Sequence, residues 1–129
     1  MATATGALVS EEEYLATSYE PDCEFEDGVL VERNVGTRTH SKVQTLLAAY
    51  FVKRRKGWNI QVYTEVRVRV RPGKYMIPDL CIVQGPEPNE DILTAPPLIW
   101  IEILSPDDRH VRVNRKVKQV LEFGTPMFG

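Results

Sequence analysis

The feature that most constrains this chain is an apolar run, Pro97-Leu-Ile-Trp-Ile-Glu-Ile-Leu104, interrupted by a single ionisable residue, Glu102. A run of that kind reads as a strand buried on both faces, and an ionised carboxylate cannot stay in such an interior without a partner. By strand parity Glu102 shares a face with Leu98, Trp100 and Leu104, while Ile99, Ile101 and Ile103 pack on the other. A proton, an arginine or a metal ion can supply the compensation.

With 129 residues the chain is sized for one core, because two would each be marginal. Residues 1–9 read as a flexible tail and residues 10–129 as a single domain, short at its C-terminus. A content of 43% hydrophobic and 26% charged residues fits a soluble globular protein and excludes disordered and fibrous classes. The longest apolar runs, 43–52 and 98–104, fall short of the ~20 residues a bilayer span requires. Residues 1–9 lack the basic start and apolar middle of a signal peptide, so the expected location is cytoplasmic. Cys23 and Cys81 are too few and too far apart for a disulfide framework or a chelating pair and read as free thiols.

The net charge of -2 conceals an asymmetry. Residues 1–36 hold nine acids against Arg33 alone, a balance of -8, whereas residues 37–129 hold nine acids and fifteen bases, a balance of +6. A basic body suits a polyanion, because phosphate neutralisation is the sequence-independent part of nucleic-acid affinity. Solvated faces of ordinary elements are the plainer account of the same asymmetry.

Ser10-Glu-Glu-Glu13 forms a capping box before a short helix, and Asp27-Gly28 is a hairpin turn within Cys23 to Glu32. From Thr39 to Lys56 the spacing of Val43, Leu46, Leu47, Tyr50 and Phe51 predicts a helix stopped by Gly57. Alternation of Val62, Thr64, Val66, Val68 and Val70 predicts one half-exposed strand, turned by Pro72-Gly73. Asp79 to Val83 and Pro97 to Leu104 are the next strands. A last helix over about 114–123 has Val113, Val117, Val120 and Leu121 as its inward stripe and Gly124 as its stop. This order gives an α/β or α+β fold with a mixed central sheet.

Asp79 begins a strand beside that of Glu102, and two carboxylates on adjacent strands make a hard oxygen site of the kind that holds Mg²⁺ with waters. An Asx-type turn or strand cap is the other reading of Asp79. His40 donates to a phosphate, contacts Glu24, or is simply a polar first-turn residue. Lys53 to Lys56 complement the helix dipole or meet a polyanion. Arg67, Arg69 and Arg71 either protect an edge strand or track a nucleic acid.

Pro78-Asp79, followed by Glu102 in an apolar strand that runs into Leu-Ser-Pro, resembles the PD-(D/E)XK nuclease superfamily, and specifically its Uma family of restriction-endonuclease-like domains. The similarity extends from about Ser10 to Pro126. It includes Glu-Glu-Tyr-Leu, the Glu24 to Leu30 segment, His40 before an amphipathic helix, Ile101 to Pro106, and a lysine-bearing last helix ending in Gly. The resemblance implies a restriction-endonuclease-like sheet flanked by helices and a Mg²⁺ or Mn²⁺ ion on Asp79 and Glu102. It adds Glu24 as a further acid and the Ile103 carbonyl as a further ligand, and the reading that follows is hydrolysis of DNA, with His40, Arg67 and Arg69 as candidate substrate contacts. The usual pattern has lysine two residues after the glutamate, where this chain has Leu104. The chain is similar to members whose lysine has moved to the following helix, and Lys116 stands at that position, within the stripe between Val113 and Val120. A lysine there either supports an attacking water or snorkels over the core edge.

Two departures feed a rival expectation, a catalytically inactive module for self-association or regulation. Val120 replaces the tyrosine usual in the family, and the chain stops before the strand that should follow the last helix. A missing strand leaves an edge for a second copy to cover, so a homodimer is expected.

Overall fold

The computed structural model describes residues 6–33, 36–105 and 110–129. The elements are α1 (Glu11–Leu15), β1 (Cys23–Glu26), β2 (Val29–Glu32), α2 (Arg38–Lys53), α3 (Arg55–Trp58), β3 (Ile60–Tyr63), β4 (Val68–Arg71), β5 (Lys74–Met76), β6 (Leu80–Gln84), β7 (Ile99–Ile101), α4 (His110–Phe123) and β8 (Met127–Phe128). The mixed helix-and-strand class expected from the sequence holds. The strands divide into two four-stranded sheets rather than one, ordered β2-β1-β5-β4 and β3-β6-β7-β8. Among the described residues no helix is long and apolar enough to cross a membrane.

Local signals account for most of this. Ser10 Oγ accepts the Glu13 N–H at 3.1 Å, the N-cap bond of the capping box, and β1 and β2 pair across Asp27-Gly28. The part of the predicted tail at residues 1–5 lies outside the described residues, and Val9 donates its N–H to the Gly28 carbonyl. Tyr14, Tyr19, Cys23, Phe25 and Tyr75 form one core cluster; Val68, Met76, Cys81, Leu93, Trp100 and Val120 form the other. Cys23 and Cys81 are free thiols, one in each cluster.

Five further expectations change. The alternating segment 62–70 is two strands, not one: β3 pairs with β6, and β4 with β5 in the other sheet. Glu65 breaks it with a left-handed φ of 53°, held by its N–H donating to the Pro78 carbonyl. Period-two polarity cannot reveal such a break, because the inward and outward phases resume on the far side.

The helix predicted to end at Gly57 is two helices. α2 stops at Lys53, and α3 ends on Asn59, itself left-handed at φ 50°. α2 is also rotated from its expected face: Leu46 is 60% and Tyr50 47% exposed, while His40, Gln44, Leu47 and Phe51 are partly buried. Gln44 is drawn inward by the Asp79 carbonyl, to which its amide donates at 2.8 Å.

On α4, Val120 is buried but Leu121 is exposed. A closing strand is also present, contrary to expectation: β8 pairs in parallel with β7. Gly124, at φ 118°, turns the chain back so closely that a Cβ there would lie 3.1 Å from Pro96 Cγ. Pro106, in the Leu-Ser-Pro that follows the apolar strand, lies outside the described residues.

Candidate functional site

Besides the passage through α2 and α3, two short segments carry the chain between the sheets, 64–67 and 77–79, and these two crossings are joined by the Glu65–Pro78 backbone hydrogen bond. A cleft of about 560 Å³ opens at this seam. Glu24 reaches it from β1, Asp79 from the second crossing, Glu102 and Ile103 from the end of β7, His40 from α2 and Lys116 from α4.

Asp79 is the most enclosed of these acids, 5% exposed at its side chain. Its Oδ1 accepts from Arg33 Nη2 at 2.6 Å and lies 3.3 Å from His40 Nε2. Its Oδ2 accepts the Ile103 N–H at 2.7 Å, which ties the start of β6 to the end of β7. The backbone of Ile103 is therefore at the site, through its amide hydrogen. The other arm of Arg33 donates to Glu65 Oε1 at 2.6 Å. Burial opposes the Arg33 charge, and the carboxylates of Asp79 and Glu65 outweigh it, holding the pKa above its ordinary value.

Glu102 accepts the indole N–H of the fully buried Trp100 at 3.0 Å, the same-face neighbour that strand parity assigns. Lys116 Nζ stands 3.4 Å from Glu102 Oε1 and 3.7 Å from Glu24 Oε1. Burial pushes the Glu102 carboxyl up to about 7; Lys116 and the Trp100 hydrogen bond oppose the rise, while the negative fields of Asp79 and Glu24 add to it. Burial also works against the Lys116 charge, but Glu24 and Glu102 prevail and raise its pKa. Glu24 uses Oε2 to accept the Ile77 N–H at 2.6 Å, so it fixes the crossing as well as facing Lys116.

Of the residues singled out from the sequence, Glu24, His40, Asp79, Glu102, Ile103 and Lys116 converge on one cleft. Arg67 and Arg69 do not line it. Arg67 donates to the Tyr14 and Thr17 carbonyls and to Asp22, with its guanidinium 4.0 Å over the Tyr14 ring. Arg69 Nε lies 3.8 Å from Glu11. Sequence reasoning missed Arg33 and Gln44 as site residues. Arg33 left a signal as the lone base among nine acids in residues 1–36; Gln44 left one as a polar residue on an otherwise apolar stretch of α2.

Among the described residues no group of three or more His, Cys, Asp or Glu side chains is placed to hold a metal ion. The smaller donor set of Asp79 and Glu102 suits a hard cation: two enclosed carboxylates in one cleft, with Glu102 raised in pKa by burial. Mg²⁺ needs only one or two carboxylates besides waters and phosphate oxygens. The Arg33 guanidinium on Asp79 Oδ1 is the competing cation.

No curated protein matches the chain. Among solved structures it is similar to the crystal structure of a "putative nuclease belonging to DUF820" from Anabaena variabilis, at 22% identity and a TM-score of 0.78, covering 93% of this chain and 72% of that one. That likeness shows the fold. The Uma2 family model, described as "Putative restriction endonuclease", matches residues 11–127. Spanning both carboxylate-bearing strands and the lysine-bearing helix, this match places the chain in the Uma2 family.

Proposed function

We propose that the chain is a metal-dependent, endonuclease-like domain that hydrolyses phosphodiester bonds in DNA, with residues 10–129 acting as one domain in the cytoplasm. The observation that supports this reading is the approach of Lys116 to Glu102 at 3.4 Å in the cleft that also holds Asp79. Asp79 and Glu102 would hold a Mg²⁺ or Mn²⁺ ion, with the Ile103 carbonyl as a further ligand. When bound, such an ion supplies Lewis-acid polarisation of a phosphate and acidifies water.

The chain's own groups divide the remaining work. Trp100 fixes the Glu102 carboxylate in one orientation. Lys116 keeps its proton and presents positive charge where negative charge grows on the phosphate, in an enclosed site that strengthens the effect. Glu24 orients Lys116, and His40 offers a contact from the α2 side. The basic body attracts the DNA backbone without reading sequence.

Thermal unfolding of wild type and Asp79→Asn with Mg²⁺ or Mn²⁺, paired with nicking of supercoiled plasmid, tests this. Metal should raise the Tm of wild type only, since an ion that binds the folded state stabilises it by mass action. A wild-type Tm indifferent to metal would favour the non-enzymatic reading. One observation supports self-association in either case. α2 buries no residue fully and exposes Val43, Leu46 and Tyr50 on one stripe, a surface that a second copy would cover. Sedimentation of wild type against Leu46→Glu checks the homodimer.

A further inference from the structure

We propose that Arg33 is a resident counterion that a divalent cation must displace from Asp79, with Glu65 keeping hold of the displaced guanidinium. The inference rests on the metal reading above and adds a residue to it.

One guanidinium spans two acids of opposite environment. Its Nη2 is 2.6 Å from Asp79 Oδ1, 5% exposed, and its Nη1 is 2.6 Å from Glu65 Oε1, 55% exposed. Among the described residues, loss of Arg33 would leave the enclosed Asp79 carboxylate with the Ile103 amide and His40, and a buried charge short of a partner is strongly unfavourable. The metal-free protein therefore needs the arginine. A divalent ion approaching Oδ1 meets a positive group already in hydrogen-bond contact, and two cations on one oxygen repel. Arg33 has somewhere to go, because it keeps the Glu65 carboxylate when it releases Asp79, and that partner is wet.

Glu65 is fixed in place for this. Its backbone is left-handed at φ 53°, a conformation that L side chains disfavour, and its N–H is tied to the carbonyl of Pro78, the residue before Asp79. Gln44 links the same two acids from α2, donating to the Asp79 carbonyl at 2.8 Å and to Glu65 Oε2 at 3.5 Å. The exposed acid is thereby anchored beside the enclosed one at backbone and at side chain. Metal affinity in the intact protein is lowered by the work of moving Arg33, as for any ligand whose competent state is a minor one.

Calorimetric titration of the full chain with Mn²⁺ tests this on wild type, Arg33→Gln and Asp79→Asn. Arg33→Gln should bind Mn²⁺ about tenfold more tightly than wild type, and Asp79→Asn should lose binding. Binding by Arg33→Gln where wild type shows none supports the proposal equally. Equal or weaker affinity in Arg33→Gln, with wild type binding, overturns it and leaves the metal reading standing. Silence in all three proteins removes both. Because Arg33→Gln leaves Asp79 short of a partner and can fail to fold, a second measurement uses folded wild type labelled with ¹⁵N-arginine, the Arg33 signal being assigned by its absence from Arg33→Lys. Saturating Mg²⁺ should shift or broaden the Arg33 guanidinium resonance; a resonance that stays put at saturation overturns the proposal.

Discussion

Arg33 and Asp79 meet at 2.6 Å across the seam between the two sheets, the guanidinium at the end of β2 and the carboxylate at the start of β6. The pair is enclosed, 16% and 5% exposed at its side chains, so removing Asp79 strips the arginine of its enclosed partner and leaves it the exposed Glu65. Asp79→Ala should destabilise the protein by about 3 kcal/mol. Glu65→Ala, which removes the exposed partner of the same arginine, should cost under about 1 kcal/mol. Urea denaturation of the two variants checks the contrast, and comparable losses would contradict it.

Lys116 lies between two acids of the cleft, Glu24 and Glu102. Lys116→Met should lower plasmid nicking by about 10²- to 10³-fold, the range for losing one preorganised charge stabiliser. Mn²⁺ binding should persist, since Asp79 and Glu102 remain. Nicking rates and calorimetry on the same preparation separate this outcome from simple loss of the fold.

Glu102 gives stability a pH dependence of definite sign. Its folded-state pKa is raised from 4.5 to about 7, so between those values the native state holds more protons than the unfolded one. Its contribution is fully present below the lower value and is lost as pH rises through the upper one. In metal-free buffer wild type should therefore lose stability relative to Glu102→Gln from pH 5 to pH 8. A difference in unfolding free energy that is flat over that interval would show that the carboxyl is not perturbed.

Arg67 is a structural clamp in this fold. Its guanidinium ties α1, the segment after it and Asp22 together while lying over Tyr14. Arg67→Ala should cost about 3 kcal/mol, the worth of charged hydrogen bonds lost from a largely enclosed site. DNA affinity and its salt dependence should be unchanged once the folded fraction is matched, as filter binding at several salt concentrations would report.

The sequence revealed what depends on local pattern. The capping box at Ser10, the turn at Asp27-Gly28 and the parity of Trp100 with Glu102 are short-range relations, and each appears where expected. The approach of Lys116 to Glu102 was legible through helical spacing and family resemblance together. The break at Glu65 was hidden because alternation resumes in phase beyond it. The rotation of α2 was hidden because a buried polar demand, the Asp79 carbonyl, outweighed the helix's apolar stripe. Arg33 reaches its partner across 46 positions, and no window of sequence reports a contact of that separation.

The two-residue strand β8 has a mechanical corollary. Gly129 accepts the Glu102 N–H at 3.0 Å and donates its own N–H to the Trp100 carbonyl at 2.8 Å, bracketing the peptide units that orient the cleft's central carboxylate. Tension, a bulky fusion or a backbone kink at Gly129 would thus be felt at Glu102 within a single hydrogen bond, making this inconspicuous edge a lever on the orientation of that carboxylate.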